Sequence, residues 1–246
     1  NSIFFATDYL ISIYHGIKTV KQIAREKSKM DDIVFEMEYE NLSAGESQNS
    51  FYKYSFFEKL RTIKKGFYPQ KKDTYNAKKN PYGIPRVDGE IRIIGADIAS
   101  RAGRTNDLTI ISCLRLIPTS RGYHRELVFL ESYSGENTVT QAFRVKQIYH
   151  DFEADYIVLD VQNVGIGIYD QLGMETDDPE RGIKYQAMTI YPHSTLEDKV
   201  YDELSSRTTG LNARPCIYPI SASARANSEI AVIFKDRLKQ KMFSFL

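Results

Sequence analysis

EIRIIGADIASRAGRTNDLTIIS, Glu90 to Ser112, holds two apolar runs separated by small and turn-forming residues. From Ile91 to Ile98 the pattern alternates and then turns almost wholly apolar, which predicts a buried central strand. Asp97 falls inside that run. A carboxylate taken out of water costs several kcal/mol unless something pairs with it, and no Lys or Arg adjoins it in sequence. A metal ion would supply the missing charge. Gly95, Ala96, Ala99, Ala102 and Gly103 keep the surroundings open to a bulky phosphate. Asn106-Asp107 then predicts a turn, and Leu108 to Cys113 a second strand returning antiparallel to the first.

Working outward, Glu126 to Tyr133 predicts a third strand. Ser134 to Phe152 follows as a helix capped at Asn137 or Thr138, with Val139, Phe143, Ile148 and Phe152 facing inward. Ala154 to Asp160 is a fourth, apolar strand that ends in a carboxylate, and GIGIYDQL, introduced by Gly165 and Gly167, is a second helix. Three strands, a helix and a strand beside the first make a right-handed crossover. Asp160 then sits at the carboxyl end of a strand, where open α/β sheets place ligands, and within reach of Asp97. Two carboxylates brought together repel each other, so they call for a divalent cation.

The 246 residues include 42% hydrophobic and 12% aromatic side chains, enough for a real core. No apolar run approaches the roughly 20 residues that span a bilayer, so no membrane partner is expected. Cys113 and Cys216 lie in apolar contexts without partner spacing and read as inert core thiols. His124, His150 and His193 share no metal-like spacing. The net charge is only +1 but is unevenly placed: Arg61 to Arg86 carries eight basic residues against one acidic. Its lysines, including Lys71, Lys72, Lys78 and Lys79, alternate with Phe67, Tyr68, Tyr75 and Tyr82. Such a segment suits phosphates and stacked bases, and equally a solvated linker. Pro69, Pro81, Pro85, Gly66 and Gly83 argue against regular structure, so residues 61–88 read as a basic linker between a helical segment, 1–60, and a larger α/β domain, 89–246.

Within 1–60, Tyr9 to Ile17 and Val20 to Lys27 have helical spacing broken at Gly16. Asp31 to Tyr39 and Ser55 to Ile63 read as further short helices, and Ser43 to Ser50 as a loop. The phosphate-loop spacing is absent, so no ATPase site is expected here.

GADIA with NDLTII, followed by YIVLDVQNVGIGIYDQL, resembles the nuclease domain of the large terminase subunit of tailed bacteriophages, an RNase H-like fold related to RuvC-type resolvases. IYHGIKTVKQIAREKSKMDDIVFEMEYEN resembles the end of the terminase motor region. The resemblance implies a mixed α/β sheet of antiparallel hairpin strands plus parallel strands, flanked by helices. It implies a metal-dependent endonuclease that cuts concatemeric viral double-stranded DNA, with two Mg2+ or Mn2+ ions held by three acidic residues. Asp97 and Asp160 match two of these. Asp107 matches a frequent acidic position of the hairpin return. Implied partners are an upstream ATPase domain of the same polypeptide, a portal protein and a small terminase subunit. The implied location is the cytoplasm of the infected host, transiently on the procapsid.

The family's last carboxylate lies on a helix beyond a strand that KMFSFL represents. The expectation is therefore a domain truncated at its C terminus and weak in activity, with Asp236 the nearest substitute among cationic neighbours. Arg101 and Arg104 are candidates to hold a scissile phosphate, and Gly165 and Gly167 to admit the DNA backbone. The rival readings are a DNA-clamping module without catalysis and a cellular RuvC-like resolvase or transposase.

Overall fold

The computed structural model describes residues 8–28, 35, 39–40, 51–78, 80–99, 108–134, 136–162, 164–193, 196–220 and 224–246. The chain divides into two compact units, Asn1–Leu60 and Arg61–Leu246. In the first, α1 (Tyr9–Tyr14) starts where the Leu10 N–H donates to Asp8 and stops before Gly16, whose φ of +68° suits a residue without Cβ. A capping box between Thr19 and Gln22 starts α2 (Val20–Lys27). Phe35 is buried between the rings of Tyr9 and Tyr39, and α3 spans Tyr54–Leu60. The rest of the helix expected over Asp31 to Tyr39 and the 43–50 loop lie outside the described residues.

The second unit is built on a seven-stranded mixed sheet in the order β7-β8-β4-β1-β2-β3-β9. Its strands are β1 (Ile91–Asp97), β2 (Thr109–Thr119), β3 (Gly122–Tyr133), β4 (Tyr156–Asp160), β7 (Met188–Ile190), β8 (Arg214–Ile220) and β9 (Phe243–Phe245). A separate hairpin pairs β5 (Thr176–Asp178) with β6 (Ile183–Tyr185). The helices are α4 (Thr138–Phe152), α5 (Val164–Leu172), α6 (Asp198–Ser206) and α7 (Ala224–Lys239). β1, β2 and β3 run antiparallel in succession, β4 lies parallel beside β1, and β8 parallel beside β4. This is the mixed sheet of antiparallel hairpin strands plus parallel strands that the resemblance implies, and the fourth strand lies beside the first as expected.

The hairpin is longer than expected. Strand β2 continues past Cys113 to Thr119 because Arg115, which breaks the apolar alternation, is buried and paired. Its guanidinium meets Glu90 at 2.8 Å and Glu126 at 2.9 Å. Arg92 bonds the same Glu90 at 2.7 Å, and the Glu90 carboxylate is completely buried. Burial alone would raise the Glu90 pKa. The bonds from Arg115, the Val87 N–H and Arg92 outweigh it and bring the carboxyl down to about 2. This ion cluster closes the end of the sheet where β1 begins.

Helix α4 packs on one face of the sheet through Ala142, Val145, Ile148, Tyr149 and Phe152, against Ile94, Ile111, Cys113, Ile157 and Leu159. Its inward stripe differs from the expected one: Ile148 and Phe152 point in, but Val139 is 58% exposed. The stripe runs instead through 141, 145, 148 and 152, which places Gln141 in the core. The α5 residues Ile168, Tyr169 and Leu172 complete this layer. Truncating a buried ring such as Phe152 to Ala would cost about 3–5 kcal/mol. Both cysteines are buried and free, and burial raises both thiols, Cys216 to about 11. No helix among the described residues is long and apolar enough to cross a membrane.

The basic segment belongs to the second unit. Phe67 is buried against Phe129 and Phe152, and the Gln70 N–H donates to the buried Asp151 carboxylate at 2.7 Å. Arg86 pairs with Asp155 at 3.0 Å. Arg181 ties these elements to the β5–β6 hairpin, bonding Asp151 at 3.1 Å and lying beside Asp178 at 3.7 Å.

Candidate metal centre

Strand pairing brings two carboxylates together. In β1, Arg92, Ile94 and Ala96 point to the buried face, so Ile93, Gly95 and Asp97 take the other. In β4, Ile157 and Leu159 are buried, so Tyr156, Val158 and Asp160 take that same other face. The parallel register pairs Ile94 with Ile157 and Ala96 with Leu159, so Asp97 stands beside Asp160. Neighbouring strands lie about 4.8 Å apart, which lets one cation touch both carboxylates. The same row continues outward to Ile110, opposite Asp97, and to Ile220, opposite Asp160, both exposed.

The expectation of a buried Asp97 is corrected by this geometry: its side chain is exposed, because strand parity turns it away from the core. What sets the pair apart is proximity. Two negative charges about 5 Å apart repel by roughly 1–3 kcal/mol in a wet, half-open site. Asp160 is half-buried, and its Oδ1 accepts the Gln162 N–H at 3.0 Å, which fixes the carboxylate at the strand end.

Two residues that sequence reasoning missed hold the other strand end. The Ala99 N–H donates to Thr109 Oγ1 at 3.0 Å, and that hydroxyl donates to Gln141 Oε1 at 2.6 Å. The Gln141 amide in turn donates to the Glu136 carbonyl at 2.8 Å and reaches that of Ala99 at 3.5 Å. Thr109 and Gln141 are both 2% exposed. They tie the backbone just beyond Asp97 to α4. The available signal was Gln141 itself, a polar residue in phase with Val145, Ile148 and Phe152.

Gly165 serves the Asp160 side. A Cβ there would lie 1.7 Å from the Asp160 carbonyl oxygen, so only glycine lets α5 start this close to β4. At Gly167 a Cβ would meet Thr138 at an ordinary 3.6 Å, which marks the α4–α5 contact. Rings line the β8 side of the same face: Tyr191 and His193 stack on Tyr218 at 5.0 and 5.1 Å, and Tyr218 pairs with Val158.

Of the other candidates, Asp107, Arg101, Arg104 and Lys79 are outside the described residues. Lys71, Lys72 and Lys78 are exposed on the segment anchored at Asp151 and Asp155, before β4 begins, and Lys72 pairs with Glu180 at 2.5 Å. The acid pair is at the opposite end of β4. Asp236 is exposed late in α7, where it accepts from Gln240 at 3.3 Å, and is not brought to the pair. Among the described residues no group of three metal-ligating side chains forms.

No family model matches the chain, and no curated protein matches it by sequence. In three dimensions it is similar to the large terminase nuclease from thermophilic phage G20c with bound magnesium, at 16% identity, 81% of this chain, 75% of that chain and a TM-score of 0.44. The zinc-bound form of that nuclease matches at 16% identity, 78% and 80% coverage, and 0.41. The Thermus phage P74-26 large terminase nuclease domain matches at 15%, 63% and 56%, and 0.34.

Proposed function

We propose that the chain is a divalent-metal-dependent endonuclease acting on double-stranded DNA, of the kind that cuts concatemeric phage genomes during packaging. The observation that carries this reading is the Asp97–Asp160 pair, side by side at the carboxyl ends of β1 and β4 on one face of an RNase H-like sheet. Both donors are carboxylate oxygens, which suit Mg2+ or Mn2+ better than a soft-ligand metal. When bound, such ions lower the pKa of a water, neutralise the scissile phosphate and stabilise the leaving oxygen.

The chain's own residues supply position. Asp97 and Asp160 offer charge that only a cation or a proton relieves. Gln162 and the close seat of α5 at Gly165 hold Asp160, while Thr109 and Gln141 hold the backbone after Asp97. Ile110 and Ile220 flank the pair with apolar surface. A remaining ligand falls to Asp107 in this reading, and Arg101 and Arg104 to the phosphate. The expected setting is the terminase: viral duplex DNA, an ATPase domain of the same polypeptide, portal protein and small subunit, in the host cytoplasm.

A second reading, a DNA clamp without catalysis, is favoured by the exposed cations Lys71 and Lys78 of the basic segment. Digestion of supercoiled plasmid with Mg2+ or Mn2+ separates the two. Nicked and linear products that EDTA abolishes support the nuclease. Retarded but intact plasmid supports the clamp.

A further inference from the structure

At the far end of the sheet from Asp97, the β2–β3 turn, the end of α7 and the residues entering β9 enclose a cavity of about 540 Å3. Arg121, His124, Arg237 and Lys241 line it, and no carboxylate does. The arginines that build the fold are neutralised: Arg92 and Arg115 by Glu90, Arg144 by Glu131, Arg181 by Asp151. Among the described residues, Arg121, Arg125, Arg237 and Lys241 meet no carboxylate. Cations at a helix C terminus answer the helix dipole, and that accounts for Arg237. It does not account for Arg121 from the hairpin turn or His124 from β3. The crowding is real: burial and the charge of Arg237 together hold the Arg125 guanidinium below its usual range.

Pairing places the cavity at the end of the sheet rather than over one face. Ile91 pairs with Leu116, Leu116 with Arg125, and Arg125 with Phe243, a row on the same face as Asp97, and Phe234 of α7 packs its ring edge-on to Phe243 at 5.0 Å, which puts α7 on that face. Thr119 and His124 belong to the alternate row and take the opposite face, so the cavity wall draws on both.

We propose that this cavity holds the sugar–phosphate backbone of a nucleic acid. Four converging cationic or protonatable side chains with no internal anion suit phosphate oxygens. No Phe, Tyr or Trp lines the cavity, so it lacks the large rings on which bases stack best, and its cations favour backbone over a free nucleotide. The choice of DNA as the polymer rests on the proposed function; the cationic cavity does not.

The test uses the full chain in EDTA, with Asp97 and Asp160 intact, and a fluorescent duplex about three turns long. Affinity is measured against salt for the native protein, for an Arg121→Gln/Arg237→Gln/Lys241→Gln variant, and for a charge-preserving Arg121→Lys/Arg237→Lys/Lys241→Arg variant. The neutral variant should lose affinity, with a log–log salt slope shallower by up to about 0.9 for each phosphate it no longer neutralises. The charge-preserving variant should keep the native slope. An unchanged slope in the neutral variant overturns the proposal, as does an equal loss in both variants. Titration with inorganic pyrophosphate is the second arm: binding abolished by neutralisation while the duplex slope holds would mean a free polyphosphate site and overturn the backbone assignment. Because no metal is present, failure of the nuclease reading would show in the plasmid assay and leave this result standing.

Discussion

Asp97 and Asp160 end two hydrogen-bonded parallel strands in matching register, and strand parity turns both side chains to the sheet face opposite α4. Everything proposed about chemistry starts from that adjacency, and each supporting residue can be removed by itself.

Thr109→Val should leave the fold standing but weaken the site. It strands the Ala99 N–H and one bond of Gln141 in a buried position, at a cost of about 1–3 kcal/mol. A shift of the strand end by even 1 Å can slow a positioned reaction by about 10²-fold. Chemical denaturation and plasmid cleavage on one preparation check both numbers. Full cleavage in a destabilised variant would make the Thr109–Gln141 link purely structural.

Gly165→Ala should be far more costly than helix propensity suggests. Alanine ordinarily favours a helix over glycine by about 1 kcal/mol. Here its Cβ would overlap the Asp160 carbonyl, so α5 or the end of β4 must move. The expectation is a lower melting temperature together with lost cleavage. Gly167→Ala is the control, since its Cβ meets only the Thr138 methyl at van der Waals distance, and it should melt at or above the native temperature.

Glu90→Gln should destabilise the sheet at neutral pH. It leaves the buried guanidiniums of Arg92 and Arg115 without their shared anion, a loss of about 3–5 kcal/mol. The native carboxyl is held near 2, below its ordinary 4.5. A depressed carboxyl stabilises fully above the unfolded value and loses that stability as pH falls through the folded one. The native protein should therefore lose about 3 kcal/mol between pH 4.5 and 2 from this group, and Glu90→Gln should lose correspondingly less. Urea unfolding at several pH values gives both curves.

The strands that place the acid pair were readable because apolar alternation and length specify them: Ile91 to Asp97 and Tyr156 to Asp160 both stand where expected. So was the Asn137 cap of α4, a side chain suited to bonding the next turn's N–H. What escaped was set by partners distant in sequence. Arg115 extends β2 only because Glu90 waits across the sheet. Gln141 reads as a surface residue until Thr109 is seen beside it. Val139 is in helical phase with Phe143 yet lies outside the layer that the sheet covers. Asp97 reads as buried because a one-dimensional apolar run hides which face each residue takes.

The central claim is that Asp97 and Asp160 share one divalent cation. Mn2+ binding to the full chain, followed by loss of the free-ion electron paramagnetic resonance signal, tests it without reference to any substrate. The account predicts that native protein takes up Mn2+ and that Asp97→Asn and Asp160→Asn each abolish the same uptake, with melting temperatures in EDTA equal to or above native. Undiminished Mn2+ uptake by either folded variant would contradict it.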